Sequence, residues 1–392
     1  MVNHPYGKSR FKSFMRILPL SILLSLTAAF SFARADDSSI HSVTVGQICP
    51  VQPSQGDTWD LAWAPDGSVY SPSNDTHGFH NGGDGNIMFN QVIGDDPTKL
   101  DGKTINVMAD CGHGCAKLAD GCTWKSSGCI SLDGVLYWLI ARHMYGGDLG
   151  DRGDRDKRQI AHGSTFIKST DGGKTWTPSA AEAYAHPMFP RSRFAAPYFI
   201  QYGRDGHEAV ADKSNQYVYA ISNNGFWDNG DFQILGRVLR SKMPKLDAAD
   251  WQFYTKGDGA DDSAWSSNIY DAQAVLCNPD HLGMTRAVYL PKHQCYFMIG
   301  WYYPAGGGKL ENSDTGHGAA HIKTNWDFYT APHPWGPWRI VSSHTFTPQG
   351  FYCPGVCLKF NSPDESTIWA FTAGDWTNGA VYKLTAVSLS IN

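Results

Sequence analysis

Two aspartates, Asp57 and Asp75, flank a short hairpin signal. Between them run Thr58-Trp-Asp60-Leu-Ala-Trp-Ala-Pro-Asp66-Gly67-Ser-Val-Tyr-Ser-Pro-Ser-Asn74, and Thr76-His77-Gly78 follows Asp75. An Asp-Gly pair between alternating apolar residues marks a tight turn joining two antiparallel strands. With Asp66-Gly67 as that turn, residues whose numbers sum to about 133 face each other, which sets Asp57 opposite Asp75 or Thr76. Two carboxylates at one end of a hairpin suit glycoside hydrolysis. One gives a proton to the leaving oxygen, and the other deprotonates water or attacks the anomeric carbon. Mutual repulsion splits their titrations and keeps one protonated near neutral pH. The purely structural alternative has Asp57 capping a turn and Asp75 forming an Asx-turn before Gly78.

Other side chains could line such a site. Trp59, Asp60, His77, His80, Arg193, Asp271 and Arg286 are expected at strand ends, where Arg forks and imidazoles hold hydroxyls and carboxylates. Metal readings are weaker. Cys111, His113, Cys115 and Cys122 lack the paired spacing of zinc folds. His317 and His321 sit among glycines with no helix to align them, and the Asp148–Asp156 loop carries Arg152 and Arg155, followed by Lys157 and Arg158, all of which repel a cation. No metal and no cofactor are expected; a structural calcium is the one ion left open.

The elements that must position these residues begin after an export signal. Lys8, Arg10, Lys12 and Arg16 precede an apolar run from Ile17 to Phe32, then Ala33-Arg34-Ala35. That order of basic, apolar and small-x-small regions is a secretory leader over residues 1–35, so a single domain over 36–392 is expected outside the cell or in a periplasm. The apolar run is shorter than the roughly 20 residues a membrane span needs, so no membrane association is expected after cleavage. Nine cysteines in an exported chain point to disulfides, with one thiol over and no pairing readable from spacing. A net charge of −5 offers no basic face to nucleic acid. Aromatics make up 13% of the chain and Gly is abundant, whereas Glu occurs at four positions only, which favours sheets over helices. The expected partner is a polysaccharide or oligosaccharide bound by a monomer.

Strand signals recur at a spacing of roughly 50 to 80 residues. Units centre on Asp57–Asn74, on Gly128–Ser169, on Ala196–Ser241, on Met284–Thr330 and on Cys353–Ser388. Five sheet units in series, with no helical period between them, predict an all-β, five-bladed β-propeller. The spare segment Ile40 to Cys49 would be the N-terminal strand that closes the ring. Strand spacing alone also admits a pair of β-sandwiches.

Specific segments carry resemblances. Ser169-Thr-Asp-Gly-Gly-Lys-Thr-Trp176 resembles the Asp box of sialidases and related propellers, a structural turn remote from the catalytic face. Gly56-Asp57, then Asp66-Gly67, then a strand ending in Asn74-Asp75-Thr76 resembles a family of five-bladed propellers containing endo-D-arabinanases. Phe194–Gly203, Thr285–Pro291 and Ala331–Trp338 look like recurring blade segments of the same propellers. The resemblance implies Asp57 and Asp75 as the acid/base pair. Asn74 stands where that family usually has Gly, and the Cys111–Cys129 insert is this chain's own. More distantly the chain is similar to arabinanase and xylosidase propellers with an Asp, Asp, Glu trio, for which Glu208 is the available third acid. The leading expectation is an exported glycoside hydrolase acting on a polysaccharide, with arabinan-type polymers among the candidates. Alternatives are a propeller lyase using His77, His80, His143 or Tyr145, and a non-catalytic carbohydrate-binding propeller. A sialidase would need three arginines around the carboxylate, a Tyr/Glu nucleophile pair and usually several Asp boxes, of which one is seen here.

Overall fold

The computed structural model describes residues 40–392 apart from 81, 114–116, 145–158, 209–215, 305–322, 348–349 and 377. The leader, Cys115, Tyr145, the Asp148–Asp156 loop, Lys157, Arg158, His317 and His321 lie outside the described residues. The described chain is nearly all strand. Its one α-helix is Ala180–Ala185, and the other helical pieces are 3-10 turns. Among the described residues no helix is long and apolar enough to cross a membrane.

Four sheets form. In the first, Val69–Phe79 pairs on one side with both Ser54–Asp57 and Ala62–Trp63, and on the other with Gly85–Ile93, which pairs with Asp101–Asn106. The second is a meander of Thr123–Leu132, Val135–Met144, Ile160–Ser169 and Phe189–Pro190. The third contains two meanders. One starts at Tyr198–Gln201 and continues through Tyr217–Asn223, Phe232–Leu239 and Gln252–Tyr254. The other starts at Arg286–Leu290 and continues through Cys295–Tyr302, Thr324–Ala331 and Arg339–Phe346. They join where their first strands run parallel, Ile200 against Ala287 and Gln201 against Val288. The fourth sheet orders Tyr352–Val356, Thr367–Ala373, Thr385–Ile391 and Val43–Pro50, so the first described strand pairs with the last.

Local chemistry accounts for these elements. Asp133 and Gly134 both take left-handed backbone, with φ of 52° and 78°, between the paired residues Leu132 and Val135. That is a two-residue turn whose twist matches its strands. Val135–Met144 is apolar along most of its length because both faces are covered. Leu136, Trp138 and Ile140 pack with Ile87 and Phe89 of the first sheet. Tyr137, Leu139 and Ala141 point the other way, against Phe199 and Val218 of the third.

The same alternation recurs elsewhere. Tyr219 and Leu235 meet Tyr289 and Met298 between the two meanders. Phe297 and Phe328 meet Ile368 and Leu389 of the fourth sheet. Phe371 and Ala386 meet Val69 and Val92 of the first. Four of the five clusters are thus shared by two neighbouring strand groups, and the one around Phe297 also takes in Ala161 and Tyr198.

The Ser169–Trp176 turn is tied by its own side chains. Ser169 Oγ accepts from the Gly173 N–H at 2.9 Å, and Asp171 Oδ1 accepts from the N–H groups of Lys174 and Thr175 at 3.1 and 3.0 Å. Trp176 wedges its ring edge-on to Phe89 and Trp138, at centroid distances of 4.8 and 5.2 Å.

The disulfide expectation is corrected. Among the described residues, eight cysteines are free thiols. Six of them are buried and pack as small apolar groups, with Cys111, Cys122 and Cys129 in one cluster, Cys295 and Cys353 in another and Cys357 in a third, whereas Cys277 is exposed. Free Cys behaves this way whenever burial rather than crosslinking sets its place.

Candidate active site

Asp57 ends its strand and Asp75 lies within Val69–Phe79, but the register differs from the expected one. Asp57 faces Asn74, and the ladder shifts between Gln55 and Asp57. The hairpin rule assumes an unbroken ladder. Here residues 58–61 leave it, with Thr58 at φ 50°, before Ala62 and Trp63 rejoin. Asp75 also holds a left-handed φ of 40° inside a strand. Such a conformation costs about 1–3 kcal/mol and persists only where the surroundings over-determine it.

Those surroundings are long-range. The Tyr352 hydroxyl donates to Asp57 Oδ2 at 2.6 Å. The Tyr382 hydroxyl lies 3.1 Å from the same oxygen and 2.9 Å from the backbone oxygen of Asp75, so its one proton is shared between the two carboxylates' residues. Lys125 Nζ, on the first strand of the second sheet, pairs with Asp75 Oδ1 and also donates to Asn86 Oδ1 at 3.2 Å. The Lys125 side chain is 3% exposed, that of Asp75 23%.

Asn74 holds the two sheets in this relation. Its Oδ1 accepts from the Ser126 N–H at 2.8 Å, and its Nδ2 donates to the Ser126 backbone oxygen at 3.3 Å and to Thr58 Oγ1. Ser126 follows Lys125, so Asn74 fixes the lysine opposite Asp75.

Electrostatics separate the two acids. Burial pushes the Asp57 carboxyl up to about 7, and the Asp75 charge adds to the rise; Lys125 and the two phenols oppose it. Asp57 therefore holds a proton at a pH where an ordinary carboxyl has lost it. Asp75 instead forms an ion pair with Lys125.

Beneath the pair lies a second buried acid. Asp60 accepts the Cys129 N–H at 2.6 Å and sits 3.6 Å from Arg286 Nε. Burial raises its pKa to about 6, against the pull of Arg286. Arg286 also donates to the Trp59 backbone oxygen and lies over the Tyr198 ring, 4.7 Å from its centroid. Asp60 and Arg286 thus brace the strand segment that carries Asp57.

The remaining expected residues fall elsewhere. Trp59 is fully buried, its indole N–H donating to Gly56 O at 2.9 Å and its ring edge-on to Phe79; it is core, not a platform for substrate. His77 is half exposed with Nε2 4.0 Å from Asp84, and His80 sits at the surface 3.0 Å from Asp101. Arg193 and Asp271 come together at a different strand group, where Arg193 donates to the backbone oxygens of Ile269 and Ala272 at 3.0 and 2.6 Å. Glu208 borders a hollow of about 380 Å³ with Pro65, Arg204, Asp205 and His207, and its N–H donates to Tyr202 O, so it supplies no third acid beside the pair. His143 is wholly buried against Trp227, and burial holds its imidazole well below its usual pKa. His113 Nδ1 lies 2.6 Å from the Asp84 backbone oxygen.

Three groups escape a reading of the sequence. Lys125 carries one faint signal, a lone cation in the strand Thr123–Leu132, whose ten residues are all buried. Tyr352 and Tyr382 carry none, since they are two among 18 tyrosines.

No family model and no curated protein matches the chain. Solved structures that superpose on it include the GH43_1 enzyme from Xanthomonas citri complexed with xylose, at 10% identity over 88% of this chain and 89% of that one, TM-score 0.46. The RS223 beta-xylosidase matches at 10% over 86% and 92%, TM-score 0.43. A protein of unknown function from Dyadobacter fermentans matches at 9% over 89% and 99%, TM-score 0.42. Such identities and scores are too low to carry an activity from those proteins to this one.

Proposed function

We propose that this chain is an exported glycoside hydrolase built on a five-bladed propeller, acting on a polysaccharide, with arabinan-type polymers as the first candidates. The blade count is supported by the apolar clusters, four of which are shared by two neighbouring strand groups, and ring closure by the pairing of the first and last described strands. Export rests on the basic–apolar leader.

One observation carries the chemistry: a buried carboxyl held protonated beside an ion-paired carboxylate. Asp57 is the general acid. It passes its proton to the glycosidic oxygen as the bond from that oxygen to the anomeric carbon breaks. Asp75 assists formation of the new bond at the anomeric carbon, by deprotonating the attacking water or by bonding there itself. Lys125 positions Asp75 and neutralises its resting charge. Tyr352 and Tyr382 address one oxygen of Asp57 and stabilise the carboxylate left after proton transfer. As turnover proceeds, the negative charge moves from one acid to the other within reach of a single ammonium, so little reorganisation is needed.

The test is a panel of polysaccharides, including arabinan and xylan, incubated with purified protein and read for both new reducing ends and unsaturated products absorbing in the ultraviolet. Reducing ends without ultraviolet absorbance are expected, and Asp57→Asn and Asp75→Asn should each abolish them. Unsaturated product would replace hydrolysis by elimination, and turnover retained in both variants would overturn the assignment of the pair.

A further inference from the structure

We infer a second carbohydrate-binding site, remote in sequence from the acid pair, in an open cleft of about 870 Å³ lined by Tyr254, Lys256, Tyr270, Asp271 and Gln273. The ligand class, a segment of the polysaccharide chain, rests on the function proposed above. The location rests on this cleft alone.

The cleft has an origin in the topology. Strand Phe232–Leu239 has two partners along one edge: Gln252–Tyr254 pairs at Gly236 and Arg237, and Ala274–Cys277 pairs from Phe232 to Ile234. The chain between these partners loops out after Tyr254, pairs Trp265–Ser266 back against Phe253 and Tyr254 at the sheet edge, makes the 3-10 turn Ile269–Asp271, and runs on into Ala274–Cys277. The Gln273 N–H donates to Tyr254 O at 2.9 Å, closing the base of the excursion, and the cleft opens above that closure.

Its aromatic rim is exposed and stands on a pinned turn. Tyr270 is 58% exposed, the most exposed of the large hydrophobic side chains among the described residues. The turn that carries it is tied down on every side. Arg193 holds the oxygens of Ile269 and Ala272, and Asp271 accepts from Ser266 Oγ at 2.7 Å and Asn268 Nδ2 at 3.1 Å. Asn268 Oδ1 caps the Tyr270 N–H at 3.1 Å. Arg237 locks the excursion to the sheet, its guanidinium 4.1 Å from the centroids of Tyr217 and Trp265 and its Nη2 2.8 Å from Asp262 Oδ1.

An aromatic left in water on a pinned backbone has only its own two side-chain torsions to lose when something stacks on it. A sugar ring presents one face of C–H groups to such a ring and a rim of hydroxyls to the carboxylate, amide and ammonium of Asp271, Gln273 and Lys256. The cleft volume is that of a pocket for a small ligand, and its openness suits a chain that continues past it. Residues singled out in the sequence as sugar ligands, Arg193 and Asp271, thus belong here rather than with Asp57.

The test is affinity electrophoresis in gels carrying arabinan and, in parallel, xylan, alongside turnover of a short oligosaccharide of the same polymer. Wild-type protein and Tyr270→Phe should be retarded, and Tyr270→Ala should lose about tenfold in apparent affinity with short-oligosaccharide turnover unchanged. Because the side chain is exposed, Tyr270→Ala should keep the wild-type near-ultraviolet circular dichroism. Retardation unaffected by Tyr270→Ala overturns the second site while leaving the hydrolase reading in place. Retardation abolished by Tyr270→Ala in a protein with no turnover supports the cleft and overturns the hydrolase. Neither retardation nor turnover overturns both.

Discussion

The strand Thr123–Leu132 has an acid cluster at each end, built from the same kinds of parts. At one end Lys125 faces Asp75 and, behind it, Asp57. At the other, Ser131 Oγ donates to Asp205 at 2.6 Å, and Asp133, His207 and Arg240 gather round. Backbone strain does not distinguish them: Asp133 and Asp205 stand at φ 52° and 54°, and Asp75 at 40°. The count of donors does. Arg240 gives both oxygens of Asp133 a hydrogen bond at 2.9 Å, and Asp205 has Ser131 and the Gly134 N–H for itself. Arg240 accordingly holds the Asp133 carboxyl below its usual range. Asp133, Asp205 and His207 each bring a ligand atom within 4.8 Å of the others, yet Arg240 already satisfies the charge a cation would meet. At the Asp57 end two acids share one ammonium, and Asp57, raised by burial and then by the Asp75 charge, keeps its proton against Lys125 and the two phenols. A charge deficit, rather than the residue types, separates a reactive cluster from a structural one.

The contrast is open to direct attack, and the largest effect is expected at the acids. Asp57→Asn should lower polysaccharide turnover by about 10²–10⁴-fold, the range for losing a general acid, whereas Asp133→Asn should leave initial rates within about twofold. Equal losses in the two variants would erase the distinction.

Removing one donor from Asp57 sharpens it. Tyr382 stabilises the ionised form of Asp57, so Tyr382→Phe should raise that pKa further. Turnover that needs Asp57 protonated falls as pH rises through about 7 in the wild type, and this limb should move to higher pH in the variant. A pH–rate profile that drops in height without moving would make Tyr382 merely structural.

Asn74→Ala should cost about 1–3 kcal/mol in urea unfolding, because the Ser126 N–H loses a buried acceptor. The variant should also lose turnover as Lys125 drifts from Asp75.

The smallest effect belongs to the far cluster. Asp133 is more than half exposed, so removing its ion pair by Asp133→Asn should change stability by less than about 1 kcal/mol at pH 7. Its folded pKa is depressed, so that contribution is present above the ordinary carboxylate range and disappears as pH falls through the depressed value. Thermal unfolding at pH 7 and at acid pH reads the difference.

What the sequence made legible follows the range of each interaction. The Asp133-Gly134 turn, the Ser169–Trp176 turn and the alternating run at Val135 are local, and each is written in a few adjacent residues. The acid pair was legible because one hairpin joins its members, although the exit of residues 58–61 from the ladder displaced the register by one. Lys125 reaches Asp75 across 50 positions, and Tyr352 and Tyr382 reach Asp57 across 295 and 325. No local pattern encodes such distances. Trp59 misled because an aromatic beside an acid looks the same in sequence whether it faces solvent or Phe79. The cysteines misled because composition suggests a compartment but not which thiols meet.

The pairing of Val43–Pro50 with Thr385–Ile391 bears on how the molecule is made. The backbone N–H groups of His41 and Ser42 donate to the oxygen of Asn392, so the earliest described residues are stitched to the very last. During synthesis the Val43–Pro50 strand must wait, its ladder unsatisfied, until Thr385–Ile391 has emerged. A chain cut short before Thr385 would carry a raw sheet edge, and such edges recruit other chains. About 340 residues therefore pass before the first strand of this sheet meets its partner.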